Sequence, residues 1–418
     1  MHYKEILSNK VRLLTEEVPY LKSVSFGIWI KTGSKFESKK INGISHFLEH
    51  MFFKGTKKRN ALQIAESIDS IGGQINAFTS REFTCYYAKV ASEHFGIALD
   101  VLGDIFFNST FPAVEIEKER QVILEEIKMY EDTPDDLIHD LFIQNTYKDH
   151  PLGRPIIGRA EVIKSLGRED ITDYLHQHYI PDEVIISIAG DIKQKEVVSQ
   201  IEDLFLALKE KGREKDETPP KISPGVTIYP KELEQVHFCL GTKGLSTKDE
   251  DRYALSCLNL ALGGSMSSRL FQEIREKRGL CYAVYSYLNS FEPAGLLTVY
   301  AGTSKENFKE VVSLVLAEFS KLAEKGLSEK ELRRVKDQLK GNLVLRLEGT
   351  ESRMSHLAKM EICLGRLMEL EEILGKIEDV RREDVQKVIE HIIADKYLSL
   401  SAIGPLKEEV KEEIGLSC

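Results

Sequence analysis

The chain has no run of eighteen or more apolar residues, which excludes a membrane-spanning helix as its organising element. Its first residues, MHYKEILSNKVRLL, lack both the apolar core of a secretory signal and the Arg/Ser-rich character of a transit peptide, so a cytoplasmic location is expected. The six cysteines (Cys85, Cys239, Cys257, Cys281, Cys363 and Cys418) form no Cys-x-x-Cys pair. That argues against a disulfide framework or a thiolate zinc knot, and for a reducing compartment. An excess of basic residues is also missing. The net charge of −10 argues against nucleic-acid binding and leans toward a cationic partner. What remains is a globular composition, 42% hydrophobic and 30% charged over 418 residues, enough for two or three domains.

The most polar, Pro-bearing stretch, KEKGREKDETPPKISPG (Lys209 to Gly225), falls near mid-chain and reads as a linker. The two sides of it resemble each other. VSFGIW from Val24 matches VHFCLG from Val236 at an offset of 212, and YAKVASEHF from Tyr87 matches YAGTSKENF from Tyr300 at 213. Two matches at nearly one offset indicate a duplication. The expected division is a domain over 1–209, a linker over 210–225 and a second domain over 226–418. Each half opens with alternating strands (Val24–Lys31; Val236–Thr242) and continues with a helix and further strands (Phe83–Val90; Gly295–Gly302). Amphipathic helices follow, then a late β-run (Glu183–Gly190; Tyr397–Gly404). The fold class is therefore α+β: two homologous domains, each a mostly antiparallel sheet covered on one face by helices.

Within GISHFLEHMFFKGT, a helix from about Gly43 to Lys54 sets His46 and His50 one turn apart on one face, with Glu49 beside them. Neutral imidazoles at i and i+4 converge on one zinc ion, and Glu49 can address a water at that ion. Two partly buried histidines bonded to backbone are the plainer alternative. The repeat offers a control. A shift of 213 puts Asn259 opposite His46, Leu262 opposite Glu49 and Gly263 opposite His50, so the second copy has not kept these residues. Two histidines leave a catalytic zinc short of a protein ligand. EIEKERQVILEEIKMYED offers Glu119, Glu125 and Glu126; Glu119 and Glu126 share a helix face and Glu125 points about 100° away. Solvated helix carboxylates are common, so the residues alone leave this choice open. His176, His178, His139 and His150 read as structural.

HFLEHMFFKGT followed by Glu126, together with GGQINAFTSREFTCYYAKV, HPLGRPIIG, GGSMSSRLFQEIREKRGLCYAVYSY and AGTSKENF, resembles the pitrilysin-type inverted-motif zinc peptidases. This family includes insulin-degrading enzyme and the mitochondrial processing peptidase, and the chain's size is similar to the processing-peptidase branch. The resemblance implies one zinc per chain on His46, His50 and Glu126, Glu49 as general base, and Glu119 as a carboxylate supporting a metal-binding histidine. It also implies that Arg275 and Tyr282 bind substrate and stabilise the tetrahedral intermediate. Asn76, Ala77 and Phe78 would take an extended peptide as an added strand. Asp136 and Asp140 would grip an arginine of the substrate, although acidic residues near a helix start are also favoured by its dipole. Because one chain carries both the zinc motif and the Arg/Tyr segment, a homodimer enclosing a chamber is expected, acting on peptides or unfolded segments. Neither nucleic acid nor membrane is expected as a partner. The rival is a non-catalytic scaffold, like the core subunits of a respiratory complex.

Overall fold

The computed structural model describes residues 2–208 and 218–418, so residues 210–217 of the expected linker lie outside the described residues. Period-two alternation in the apolar runs builds two sheets. The first comprises β1 (His2–Ile6), β2 (Arg12–Glu17), β3 (Ser23–Ile30), β4 (Gln74–Thr79), β5 (Thr84–Ala91) and β6 (Val184–Gly190), in the order β1-β2-β6-β3-β5-β4. The second comprises β7 (Gly225–Pro230), β8 (Val236–Gly244), β9 (Cys281–Ser290), β10 (Gly295–Thr303) and β11 (Ser399–Gly404), in the order β7-β11-β8-β10-β9. Among the described residues only the β2–β6 and β7–β11 pairs are parallel. The expected strands thus form within two residues of their anticipated ends.

The helices of the first half are α1 (Ile44–Phe52), α2 (Ala61–Asp69), α3 (Phe95–Asn108), α4 (Ala113–Glu131), α5 (Pro134–Thr146), α6 (Ala160–Ser165), α7 (Arg168–His178) and α8 (Gln194–Phe205). Those of the second are α9 (Arg252–Leu262), α10 (Phe308–Lys325), α11 (Glu329–Arg346), α12 (Thr350–Leu364), α13 (Leu370–Asp379) and α14 (Arg382–Ile392). Among the described residues no helix is long and apolar enough to cross a membrane.

Strand register bears on the duplication directly. Gly27 lies opposite Tyr87 in the first sheet, and Cys239 lies opposite Tyr300 in the second, the pairing that offsets of 212 and 213 require. The offset then slips. Asn76 is opposite Tyr87 and Tyr285 is opposite Tyr300, so β4 maps onto β9 at 209. Helix α9 starts 208 residues after α1 and ends 210 after it. His46, Glu49 and His50 therefore fall opposite Leu255, Leu258 and Asn259, not opposite Asn259, Leu262 and Gly263. The constant shift failed because the loops leading into the two helices differ in length. The contrast it exposed survives, since neither leucine can hold a metal.

The chain separates into two compact units, neither continuous in sequence. One consists of Met1–Lys128, Arg154–Asp216 and Leu345–Leu367; the other of Met129–Gly153, Glu217–Val344 and Met368–Cys418. These differ from a division into 1–209 and 226–418 by two exchanged segments, which hold α5 and α12. Alternation along β3 shows how the exchange works in the first unit. Val24, Phe26, Ile28 and Ile30 enter the core with residues of α1 and α3. The intervening residues meet α12: Ser25 Oγ lies 2.9 Å from Thr350 Oγ1, and Trp29 Nε1 donates to Met354 Sδ at 3.2 Å. A Cβ on Gly27 would sit 2.6 Å from that sulfur and 2.7 Å from Trp29 Nε1, so any larger residue there would have to displace the Met354 side chain. In the second unit Ile138, Phe142 and Ile143 of α5 pack with Cys239, Tyr300 and Ile403 in the same way. Each sheet thus carries one helix on the face opposite its main helical layer, and the far half of the chain supplies it.

Candidate metal centre

Helix α1 is held from several sides, which fixes where its polar stripe points. Phe47, Leu48, Met51 and Phe52 are fully buried in the core of the first unit. Gly43 precedes the helix at φ 98°, a left-handed conformation, and a Cβ there would meet Ile157 O at 2.8 Å. The buried carboxylate of Glu37 accepts from Gly43 N at 2.7 Å, Ser45 N at 2.9 Å and Asn42 Nδ2 at 2.8 Å. It thereby satisfies orphan donors at the helix start and sits where the dipole favours an anion. Ser45 Oγ bonds the buried Tyr174 hydroxyl at 2.8 Å.

On the remaining face the structure brings His46, His50 and Glu126 together: one ligand atom from each lies within 4.8 Å of the others. His46 Nε2 is 3.7 Å from Glu126 Oε1, and His50 Nε2 is 3.7 Å from Glu126 Oε2. Glu126 comes from α4, whose Ile116, Ile123 and Ile127 are buried against the same core. Two turns earlier on α4, buried Glu119 accepts from His50 Nδ1 at 3.0 Å and from Lys54 Nζ at 2.5 Å. That bond occupies Nδ1 and leaves Nε2 turned toward Glu126, the arrangement a metal-binding imidazole requires. Burial works to raise the Glu119 carboxyl, but the bonds from His50 and Lys54 hold it below its ordinary range. Burial, reinforced by the neighbouring His50 charge, pushes His46 down to about 3, so its imidazole is neutral and fit to ligate. His46 Nδ1 is buried and has no hydrogen-bond partner among the described residues. His50 moves the other way: burial lowers it, but the bond to Glu119 and the charges of Glu126 and Glu49 outweigh this and hold it above its ordinary value, so ligation there would release a proton. Two imidazoles and one carboxylate are the donor set of a zinc site with an open position. Glu125 points elsewhere, exposed and bonded to Lys128 at 2.6 Å.

Glu49 stands between the two histidines in sequence. Burial raises its carboxyl above the usual carboxylate range, opposed by a hydrogen bond from Thr79. Thr79 Oγ1 donates to Glu49 Oε2 at 2.5 Å. Thr79 lies within GGQINAFTSREFTCYYAKV, where the local pattern assigns it no role. The signal was its parity: on β4, Ile75 and Ala77 pack with the core, and Thr79 follows them at the same period of two. Lys54 and Glu37 were also passed over, both being charged residues whose partners are set by tertiary contacts.

Asn76, Ala77 and Phe78 lie on β4, which among the described residues pairs only with β5 and forms the edge of its sheet. The other expected residues belong to the second unit. Arg275 sits in a π-helical turn (Phe271–Glu276), its guanidinium carbon 4.7 Å from the Phe271 ring and 5.0 Å from the Tyr282 ring. Glu273 is taken by Lys277 and Arg278, and no carboxylate pairs with Arg275 among the described residues. Arg275 and Tyr282 line a cavity of about 470 Å³ with Gly263, Gly264, Met266 and Phe271. Asp136 and Asp140 lie one turn apart on α5, flanking His139, whose Nδ1 and Nε2 meet the hydroxyls of Tyr287 at 2.6 Å and Tyr285 at 3.2 Å. His178 is buried, 3.0 Å from Thr32 Oγ1.

Known proteins are similar to this chain over most of its length. Residues 12–160 match the family described as Insulinase (Peptidase family M16), and residues 165–339 match Peptidase M16 inactive domain. A Bacillus subtilis (strain 168) protein named "Uncharacterized zinc protease YmxG" is 47% identical over 397 residues, covering 95% of this chain and 97% of that one. The chain belongs to peptidase family M16. The M16 fold extends across the whole chain: a Pseudomonas fluorescens structure titled as a peptidase M16 inactive domain superposes with TM-score 0.91 at 19% identity, covering 97% of this chain and 98% of that one. A chain of Candida albicans complex III2 superposes with TM-score 0.85 at 20% identity, covering 98% and 99%. The candidate metal ligands of this M16 chain, His46, His50 and Glu126, all fall in the part matched by the first family description, and Arg275 and Tyr282 fall in the part described as inactive.

Proposed function

We propose that this chain is a zinc-dependent endopeptidase acting on peptides, unfolded segments or N-terminal extensions. The observation that carries the reading is the convergence of His46, His50 and Glu126 beside Glu49, a carboxylate that no ion pair consumes among the described residues. His46, His50 and Glu126 would hold a zinc ion, which would supply Lewis acidity to polarise a carbonyl and acidify water. Glu49 takes the proton from the attacking water and passes it to the leaving amine. The edge of β4 at Asn76, Ala77 and Phe78 receives the peptide as an added strand, with backbone bonds fixing its register. Arg275, held between two rings and free of a carboxylate partner, acts with Tyr282 on the substrate. Asp136 and Asp140 favour arginine-bearing substrates. A homodimer is part of the proposal because a single chain carries both sets of residues.

The test compares wild type with Glu49→Gln on an Arg-containing peptide library, with zinc measured in both. Glu49→Gln should retain zinc and lose nearly all turnover. Wild-type turnover in Glu49→Gln would sink the mechanism. A folded wild-type chain with neither zinc nor cleavage would return the scaffold reading.

A further inference from the structure

We infer that Thr79 is the positioning residue that aims the general base, so that the strand proposed to receive the peptide also orients the carboxylate that acts on it. The inference rests on the peptidase reading above. A threonine hydroxyl has one proton to give, and an ionised carboxylate only accepts. The 2.5 Å contact from Thr79 Oγ1 therefore fixes Glu49 Oε2 and leaves Oε1 to take a proton. Among the described residues no other side chain hydrogen-bonds Glu49.

Thr79 can do this because its own place is fixed. It is the last residue of β4 and lies opposite Thr84, the first of β5, so it closes the ladder of the hairpin. The intervening turn is closed by Ser80 N and Ser80 Oγ, both bonded to Phe83 O at 2.8 Å. That turn is fastened to the segment after β3: Ser34 N donates to Ser80 O at 3.3 Å and Lys35 N to Arg81 O at 2.9 Å. Lys35 Nζ, buried, pairs with Glu82 Oε1 at 2.9 Å. A buried pair of this kind is costly to break from one side, so the turn has one well-defined position. Alternation then sends Thr79 toward α1, on the side of β4 that Ile75 and Ala77 share. Asn76 and Phe78 take the opposite face. Main-chain groups on the free edge of β4 remain for a peptide, while the hydroxyl of its last residue holds the base.

Thr79→Val keeps the shape and strand preference of threonine and puts a methyl group where the donating hydroxyl was. Turnover should fall about 10- to 100-fold, the range for losing a group that orients a reactive side chain at a metal site. KM and bound zinc should stay at wild-type values, and a crystal structure of the variant should show the Glu49 carboxylate rotated away. Thr79→Ser, which restores the donor, should recover turnover. The assignment is overturned if Thr79→Val turns over like wild type while Glu49→Gln does not. It is overturned equally if Thr79→Ser is as impaired as Thr79→Val, or if Thr79→Val loses its zinc. If the wild-type chain shows no chelator-sensitive cleavage at all, the peptidase reading itself has failed and takes this role with it.

Discussion

Replacing Glu119 by glutamine tests whether the supporting shell of the metal centre is built for ligation. In the native arrangement both carboxylate oxygens are used, one by His50 Nδ1 and the other by Lys54 Nζ. Glutamine is nearly isosteric but offers one accepting oxygen and an amide that donates. If the oxygen stays with His50, the amide group faces the Lys54 ammonium; if it turns to Lys54, the amide faces the donor on His50. Either way one charge-assisted bond is lost in a site that is 5% exposed. Hydrogen bonds to charged groups contribute about 1.5–3 kcal/mol. At about 1.4 kcal/mol per decade, zinc affinity should fall roughly 10- to 100-fold. Part of that loss reflects freedom of the His50 ring, because Nδ1 no longer selects the tautomer that leaves Nε2 for the metal. Competition against a chromophoric zinc chelator measures the affinity, with circular dichroism to establish that the fold is kept. A folded Glu119→Gln chain that binds zinc as tightly as wild type would refute the reasoning, and with it the role of α4 in orienting His50.

Three further outcomes follow from other parts of the chain. Met354 of α12 is buried against Gly27 and the Trp29 indole, so Met354→Ala should cost about 2–5 kcal/mol in urea denaturation. A loss under about 1 kcal/mol would show that α12 is dispensable to the first unit. Glu331 is held down to about 2; burial opposes this, but bonds from Arg269 and Ser328 outweigh it. A depressed carboxylate contributes stability that is present above its unfolded value near 4.3 and lost as pH falls toward 2. Glu331→Gln should therefore lower stability at pH 7 by up to about 1 kcal/mol, after allowance for solvent screening, and flatten the acid limb of the denaturation profile. Finally, Asp136→Asn with Asp140→Asn should raise KM for arginine-bearing peptides while leaving uncharged ones unaffected, read from paired kinetics on the two substrate sets.

Much of the fold was legible because its information is local. The strand runs alternate over short distances, and β3 and β10 form within two residues of where alternation ends. The histidine pair was legible for the same reason, since i and i+4 on a helix are neighbours whatever the rest of the chain does. Glu126 was one of three candidate carboxylates until its family resemblance singled it out, because nothing local says which turn of α4 faces α1. The exchanged helices were not legible. Helix α12 is 160 residues and more from the strands it covers, and its apolar positions fit a helix packed anywhere. The slip of offset from 213 to 209 was hidden because two matches in β-strands say nothing about the loops between them. Thr79 was missed for a similar reason: its partner lies 30 residues away on another element, and parity alone names a face without naming what occupies it.

The two copies also supply an energetic argument about why the polar residues are where they are. In the second unit, Leu255 and Leu258 of α9 occupy the positions equivalent to His46 and Glu49, and both are buried. Burying a leucine stabilises a fold by about 1.5–3 kcal/mol. The first unit instead places an imidazole, whose charged form burial makes unfavourable, and a carboxylate held by one hydroxyl. Beneath them it buries Glu119, which must be matched by His50 and Lys54 to be tolerated. The same architecture therefore folds with leucine at two of the three equivalent positions, Asn259 taking the third, and the polar version is the less stable choice at those two places. A fold that forgoes packing at a single site, and builds compensating bonds around it, has been shaped there by chemistry and not by stability.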